Sequence, residues 1–124
     1  MVAAAALAGN RVFASPGKGN DLPDNIIYTE ENSGRFAKKT GSHLPVVTVD
    51  GNKITLKTEH GMSEAHYIVR HTLVSENGEV LGEKTFHFSD EEAISVFEIT
   101  GDHSKLYATS FCNKHDMWIT EVSL

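Results

Sequence analysis

The chain has one cysteine, Cys112, in 124 residues. An internal disulfide is therefore excluded, and so is any metal site built from four thiolates. No apolar run approaches the ~20 residues needed to span a bilayer, so no membrane span is expected. Basic residues are outnumbered, 11 against 17 acidic ones, for a formal net charge of −6. That balance argues against a large basic footprint for nucleic acid. No internal repeat and no long helical period is present. The length suits one domain with one core.

The N-terminal stretch differs from the rest. Val2 to Ala8 is apolar and alanine-rich. Val12-Phe13-Ala14 followed by Ser15 resembles the small-residue cleavage site of a secretory signal. Residues 1–14 are read as the tail of an export signal, which places the mature protein outside the cytoplasm, in a compartment such as the periplasm; the alternative is a cytoplasmic protein with an alanine-rich N-terminus. Residues 15–42 are rich in Gly, Pro, Asn, Asp and Lys and read as an extended arm or loop. Their one apolar stretch is Ile26-Ile27-Tyr28.

From His43 to the end, residues 43–124, the pattern is β. Leu44 to Val49 and Ile54 to Thr58 flank Asp50-Gly51-Asn52, a hairpin signal. His66 to Val74 turns at Asn77-Gly78 into Val80 to Phe88. Ala93 to Ile99, Lys105 to Phe111 and Met117 to Val122 complete the set. About seven short strands separated by Gly/Asn/Asp turns predict an all-β fold, a β-sandwich of the immunoglobulin kind.

Seven histidines are present. Histidine is a metal ligand, an acid/base group or a plain polar residue, so the count only directs attention. Cys112-Asn113-Lys114-His115 places a thiol and an imidazole three residues apart at a strand end. The pair suits Fe, Cu or Zn, although a lone Cys and His more often serve packing and surface. His60-Gly61-Met62-Ser63-Glu64-Ala65-His66 puts two imidazoles across one connecting loop. His43-Leu44-Pro45 stands at the head of the first strand, where Pro45 pushes Leu44 toward an extended conformation. A sandwich clusters its loops at two ends, so His43, His60, His66, Cys112 and His115 can converge. Zinc is usually satisfied by four ligands. Four neutral imidazoles and one thiolate suit a square-pyramidal iron with one vacant position. On a divalent ion they leave a net charge near +1, which favours a small anion there.

These residues resemble the superoxide reductases, the neelaredoxin and desulfoferrodoxin family. That family pairs an HxP element, an HPM…HYI element and a C-terminal CNxHGxW element. The sequence has His43-Leu44-Pro45, then His60-Gly61-Met62 with His66-Tyr67-Ile68, then Cys112-Asn113-Lys114-His115-Asp116-Met117-Trp118. The likeness covers roughly residues 40 to 124. It implies an immunoglobulin-like sandwich and one mononuclear non-haem iron per chain. It also implies equatorial His43, His60, His66 and His115 with the Cys112 thiolate axial. The implied reaction is one-electron reduction of superoxide to hydrogen peroxide, with an external electron donor. The four-cysteine iron domain of desulfoferrodoxins is absent, as in the neelaredoxin-like members. Relatives commonly assemble, so a homo-oligomer is expected. An axial thiolate pushes electron density onto iron, and backbone donors near Asn113 and His115 are expected to tune the sulfur.

The sequence departs from the family at three places. Many members carry Glu-Lys directly before the first histidine, where this chain has Gly41 and Ser42. Lys39 is the expected replacement for the lost positive charge, with Lys38 and Lys114 as alternatives. Gly61 stands where the family has proline, and Asp116 where it usually has glycine. His71, His87 and His103 are expected to stay off the metal. Trp118 and Tyr67 are expected to pack under the site. The competing reading is a cupredoxin-like copper electron-transfer protein using Cys112, His115 and Met117. It gives the other histidines no role, and Met117 follows His115 too closely.

Overall fold

The computed structural model describes residues 22–124. The export-like segment 1–14 and the first residues of the 15–42 arm lie outside them. The strands are β1 (Ile27–Tyr28), β2 (Val46–Asp50), β3 (Lys53–Thr58), β4 (Ile68–Ser75), β5 (Val80–Thr85), β6 (Ala93–Glu98), β7 (Lys105–Cys112) and β8 (Asp116–Ser123). They form two sheets, one ordered β1-β8-β7-β4-β5 and the other β2-β3-β6. All pairings are antiparallel except the short β1–β8 pair. The expected sandwich is present, and the seven strands predicted are β2 to β8. Among the described residues no helix is long and apolar enough to cross a membrane.

Alternation explains which residues face inward. On β3, Ile54, Leu56 and Thr58 are buried while Lys53, Thr55 and Lys57 are not. On β7 the buried set is Leu106, Ala108, Ser110 and Cys112. The expected turns form at Gly51 and Gly78, whose φ angles of 63° and 83° favour glycine. At Gly82 a Cβ would lie 2.4 Å from the Phe97 ring, so the bare backbone lets β5 approach β6.

The segment before β2 is more structured than an extended arm. After β1 comes a 3-10 helix (Gly34–Lys39) and then a single helical turn, α1 (Thr40–His43). Gly34 enters it at φ 50°, and Asn25 Oδ1 accepts the Arg35 N–H at 2.7 Å. His43 consequently closes α1 instead of opening the strand. Proline disfavours helix in the residue before it, so Leu44 turns extended and β2 begins after Pro45.

The interior has two apolar clusters. One contains Ile54, Leu56, Leu73, Ile99, Leu106 and Ala108. The other contains Ile68, Phe86, Ala93 and Cys112. Between them lie four buried polar side chains, Thr58, His71, Ser95 and Ser110.

Candidate metal centre

The strand directions send the key residues to one end of the sandwich. β3 runs out at Thr58, two residues before His60, and β4 starts two residues after His66. β7 ends at Cys112 and turns within three residues into β8, with Cys112 and Asp116 in register. α1 delivers His43 to the same end.

Side-chain hydrogen bonds pin this loop cluster. Asn113 Oδ1 accepts the Tyr67 N–H at 2.9 Å, and its amide donates to the Ala65 carbonyl at 3.1 Å. Asn113 thus fastens the loop carrying His66 to the loop carrying Cys112 and His115. Trp118 is fully buried, donates its indole N–H to the His115 carbonyl at 2.8 Å, and packs 5.5 Å from the His43 ring. It is the packing residue expected. Phe36 from the 3-10 helix sets its ring edge-on to His115 at 4.7 Å, and Arg35 lies over Phe36. Arg35 and Phe36 were not legible as site residues, because nothing in the local pattern folds that helix back over His115.

The five predicted ligands converge. One ligand atom from each of His43, His66, Cys112 and His115 lies within 4.8 Å of all the others. His60 borders this group, with its Nε2 3.1 Å from His66 Nε2 and 4.0 Å from Cys112 Sγ. His66 Nε2 is also 3.1 Å from His115 Nδ1, which is 3.6 Å from Cys112 Sγ. The His43 ring meets those of His60 and His115 edge-on at 4.6 and 4.8 Å.

The hydrogen bonds at the rim decide which nitrogens carry protons. His43 Nδ1–H donates to the Lys39 carbonyl at 3.0 Å, and His60 Nδ1–H donates to the Gly61 carbonyl. Both rings therefore direct a bare Nε2 inward. His43 Nε2 is buried and has no partner among the described residues. A buried imidazole nitrogen is costly to leave unpaired, so its aim toward three other imidazoles and a thiol marks a cation site. Burial, foremost, keeps the rings neutral: it lowers His60, His66 and His115, and takes His43 to about 4. The same desolvation raises the Cys112 thiol, against the amides of Lys114 and His115 that point at the sulfur and favour thiolate. These two amides supply the donors expected near the thiolate. The donor set fits a mononuclear iron.

A family model described as desulfoferrodoxin matches residues 35–121. The chain belongs to the desulfoferrodoxin family.

Solved structures agree on the fold. A neelaredoxin-type superoxide reductase from Ignicoccus hospitalis is 22% identical, with a TM-score of 0.65, covering 80% of this chain and 93% of that one. The superoxide reductase (1Fe-SOR) of Giardia intestinalis is 23% identical at a TM-score of 0.62, covering 67% and 98%. The superoxide reductase of Treponema pallidum is 28% identical at a TM-score of 0.54, covering 65% and 67%. No curated protein sequence matches the chain.

For this desulfoferrodoxin-family chain the copper reading finds no support. Trp118 faces the His43 ring, so Met117, next along β8, projects to the opposite face. The other three histidines are elsewhere. His71 is buried in the sandwich, His87 is exposed, and His103 pairs with Glu76 at 3.3 Å. Lys39 lines a depression of about 420 Å³ over the centre, together with His43, Glu59, His60, Met62 and His66. Its charge is among the causes lowering His60, His66 and His115. Lys114 acts on His66 and His115 as well. Asp116 turns at φ 62° and reaches Arg35 at 3.6 Å.

Proposed function

We propose that this chain is a superoxide reductase whose iron is held by His43, His60, His66, His115 and Cys112. The observation that carries the reading is the convergence of four imidazoles and one thiol, with His43 Nε2 buried and without a partner among the described residues. Membership of the desulfoferrodoxin family supports it. A ferrous ion held there would supply the one electron that, with two protons, reduces superoxide to hydrogen peroxide.

The protein's own part is binding and orientation. The Lys39 and Gly61 carbonyls hold the His43 and His60 rings in the tautomer that offers Nε2. The Lys114 and His115 amides stabilise negative charge on the sulfur. Lys39, exposed at the rim, draws a small anion into the depression above the rings. An external one-electron donor would be needed for turnover. Self-assembly through open sheet edges belongs to the same proposal and is read by sedimentation.

Metal analysis and visible absorption before and after mild oxidation test the centre. One iron per chain and a thiolate-to-ferric band, both lost in Cys112→Ser, are expected. One copper with an intense blue band would overturn the assignment. For Lys39, pulse-radiolysis rates across ionic strength are decisive. Lys39→Ala is expected to slow the second-order step about tenfold at low salt and to flatten its salt dependence. An unchanged rate transfers the role to Lys114.

A further inference from the structure

The sandwich interior contains a polar layer that the proposed chemistry does not use. His71 is fully buried on β4. Its Nε2 lies 2.8 Å from Thr58 Oγ1 on β3, and its Nδ1 lies 2.8 Å from Ser95 Oγ on β6. Thr58 Oγ1 is in turn 2.8 Å from Ser110 Oγ on β7. The ring thus joins one sheet to the other, since β4 and β7 belong to the larger sheet and β3 and β6 to the smaller.

A neutral imidazole satisfies this chain completely. It donates at one nitrogen and accepts at the other, and each hydroxyl can donate onward in the same sense. Burial holds the ring neutral, taking it to about 4, with Lys84 adding to the effect. Four buried polar groups gain little net stability over apolar ones of the same shape. What a fully connected network does confer is one geometry, because a strand shift breaks several bonds at once.

Its position shows what that geometry serves. Thr58 is two residues before His60, and Ser110 is two residues before Cys112. Ser110 and His71 are in register across β7 and β4. The His71 ring also stands edge-on to Phe86 at 4.9 Å, and Phe86 belongs to the apolar cluster that contains Cys112. Every strand end that leads to a candidate ligand loop or to Cys112, apart from α1, is therefore tied to this ring.

We infer that His71 is a positioning residue for the metal centre: through Thr58, Ser95 and Ser110 it fixes the strand ends that present His60 and Cys112. The inference rests on the iron assignment above. Ligand geometry must hold to within about 0.5 Å to define a centre, and loops alone do this poorly. A bridge between the two sheets directly beneath the ligands supplies the rigidity.

The test uses the iron-loaded full chain. Thr58→Val keeps the shape of the side chain and removes the link, and His71→Phe removes the bridge. Leu73→Ala, in the other apolar cluster, is the control for general destabilisation. The readouts are the energy of the thiolate-to-ferric band, the iron midpoint potential and the rate of iron loss to a chelator. Thr58→Val and His71→Phe are expected to shift band and potential and to speed iron loss about tenfold, while Leu73→Ala lowers the melting temperature without moving the band. If His71→Phe does not fold, Thr58→Val and Ser95→Ala carry the test. A band, potential and iron-loss rate equal to wild type in every folded variant overturn the inference and leave the iron assignment standing. A wild type that takes up no iron overturns both.

Discussion

The two ends of the sandwich both gather histidine and loop backbone, and they resolve the same problem in opposite ways. At the end away from the centre, Glu76 accepts the N–H of Ser104 at 3.1 Å and of Lys105 at 3.3 Å, and pairs with His103. His103 Nε2 donates to the Thr100 carbonyl. The His103 ring and the Ser104 and Lys105 amides there all find acceptors on the chain itself. At the other end four imidazoles and a thiol crowd together, and His43 Nε2 has no partner among the described residues. Imidazoles and a thiol crowded around a buried, unpaired nitrogen suit a cation, and a bound ion would satisfy that end.

Iron loading should widen this contrast most. A metal that binds only the folded chain stabilises it by ~4 kcal/mol at a thousandfold excess over its dissociation constant. Amide exchange should slow in the loops 59–67 and 113–115 beyond the global effect, with no such excess in the turns 76–79 and 100–104. Equal local protection at both ends would remove the distinction.

Acid should separate the polar layer from the far end. The folded-state value of His71 lies near 4, below that of an unfolded histidine. Between about pH 6.5 and 4 the unfolded chain therefore takes up a proton that the folded chain refuses. Stability falls as pH drops through that window, by ~3 kcal/mol for this ring. Denaturant midpoints of metal-free protein should show that fall in wild type, and less of it in His71→Phe. His103 has the opposite sign. Its bond to Glu76, foremost, raises it, so its contribution is full below about pH 6.5 and fades as pH rises through the folded value. Glu76→Gln should weaken that second, smaller trend, leaving the part due to the Thr100 carbonyl, and keep the acid limb of His71 intact.

The smallest effect is expected at Gly61. A Cβ there meets nothing within 4 Å, and its φ is not in the left-handed region. Gly61→Ala should stabilise by ~0.4–1 kcal/mol, through the unfolded state, with iron content unchanged. A loss of iron in that variant would show that the loop presenting His60 needs its freedom.

Much of the centre was legible because its signals are local. Strand alternation around Ile54 to Thr58 and Lys105 to Cys112, the turns at Gly51 and Gly78, and the Cys112–His115 spacing are short-range properties. The helical segment over the site was not legible. Residues 34–43 have no apolar period, and their shape depends on Asn25, Gly34 and Pro45 acting together with packing on Tyr28 and Trp118. His71 was expected only to stay off the metal, and strand parity placed it correctly. That hydroxyls from two other strands would meet its ring, with a third joined through Thr58, could not be seen along the chain.

The sequence by itself determined the kinds of ligand atom, their order and the strands that carry them, because residue chemistry and the two-residue period of a strand are local. Only the tertiary structure decided that five side chains meet, which imidazole nitrogen each turns inward, and that Lys39 stands at the rim while Met117 faces away. Those outcomes depend on the register between strands distant in the chain and on carbonyls such as those of Lys39 and Gly61, whose directions exist only once the loops are packed.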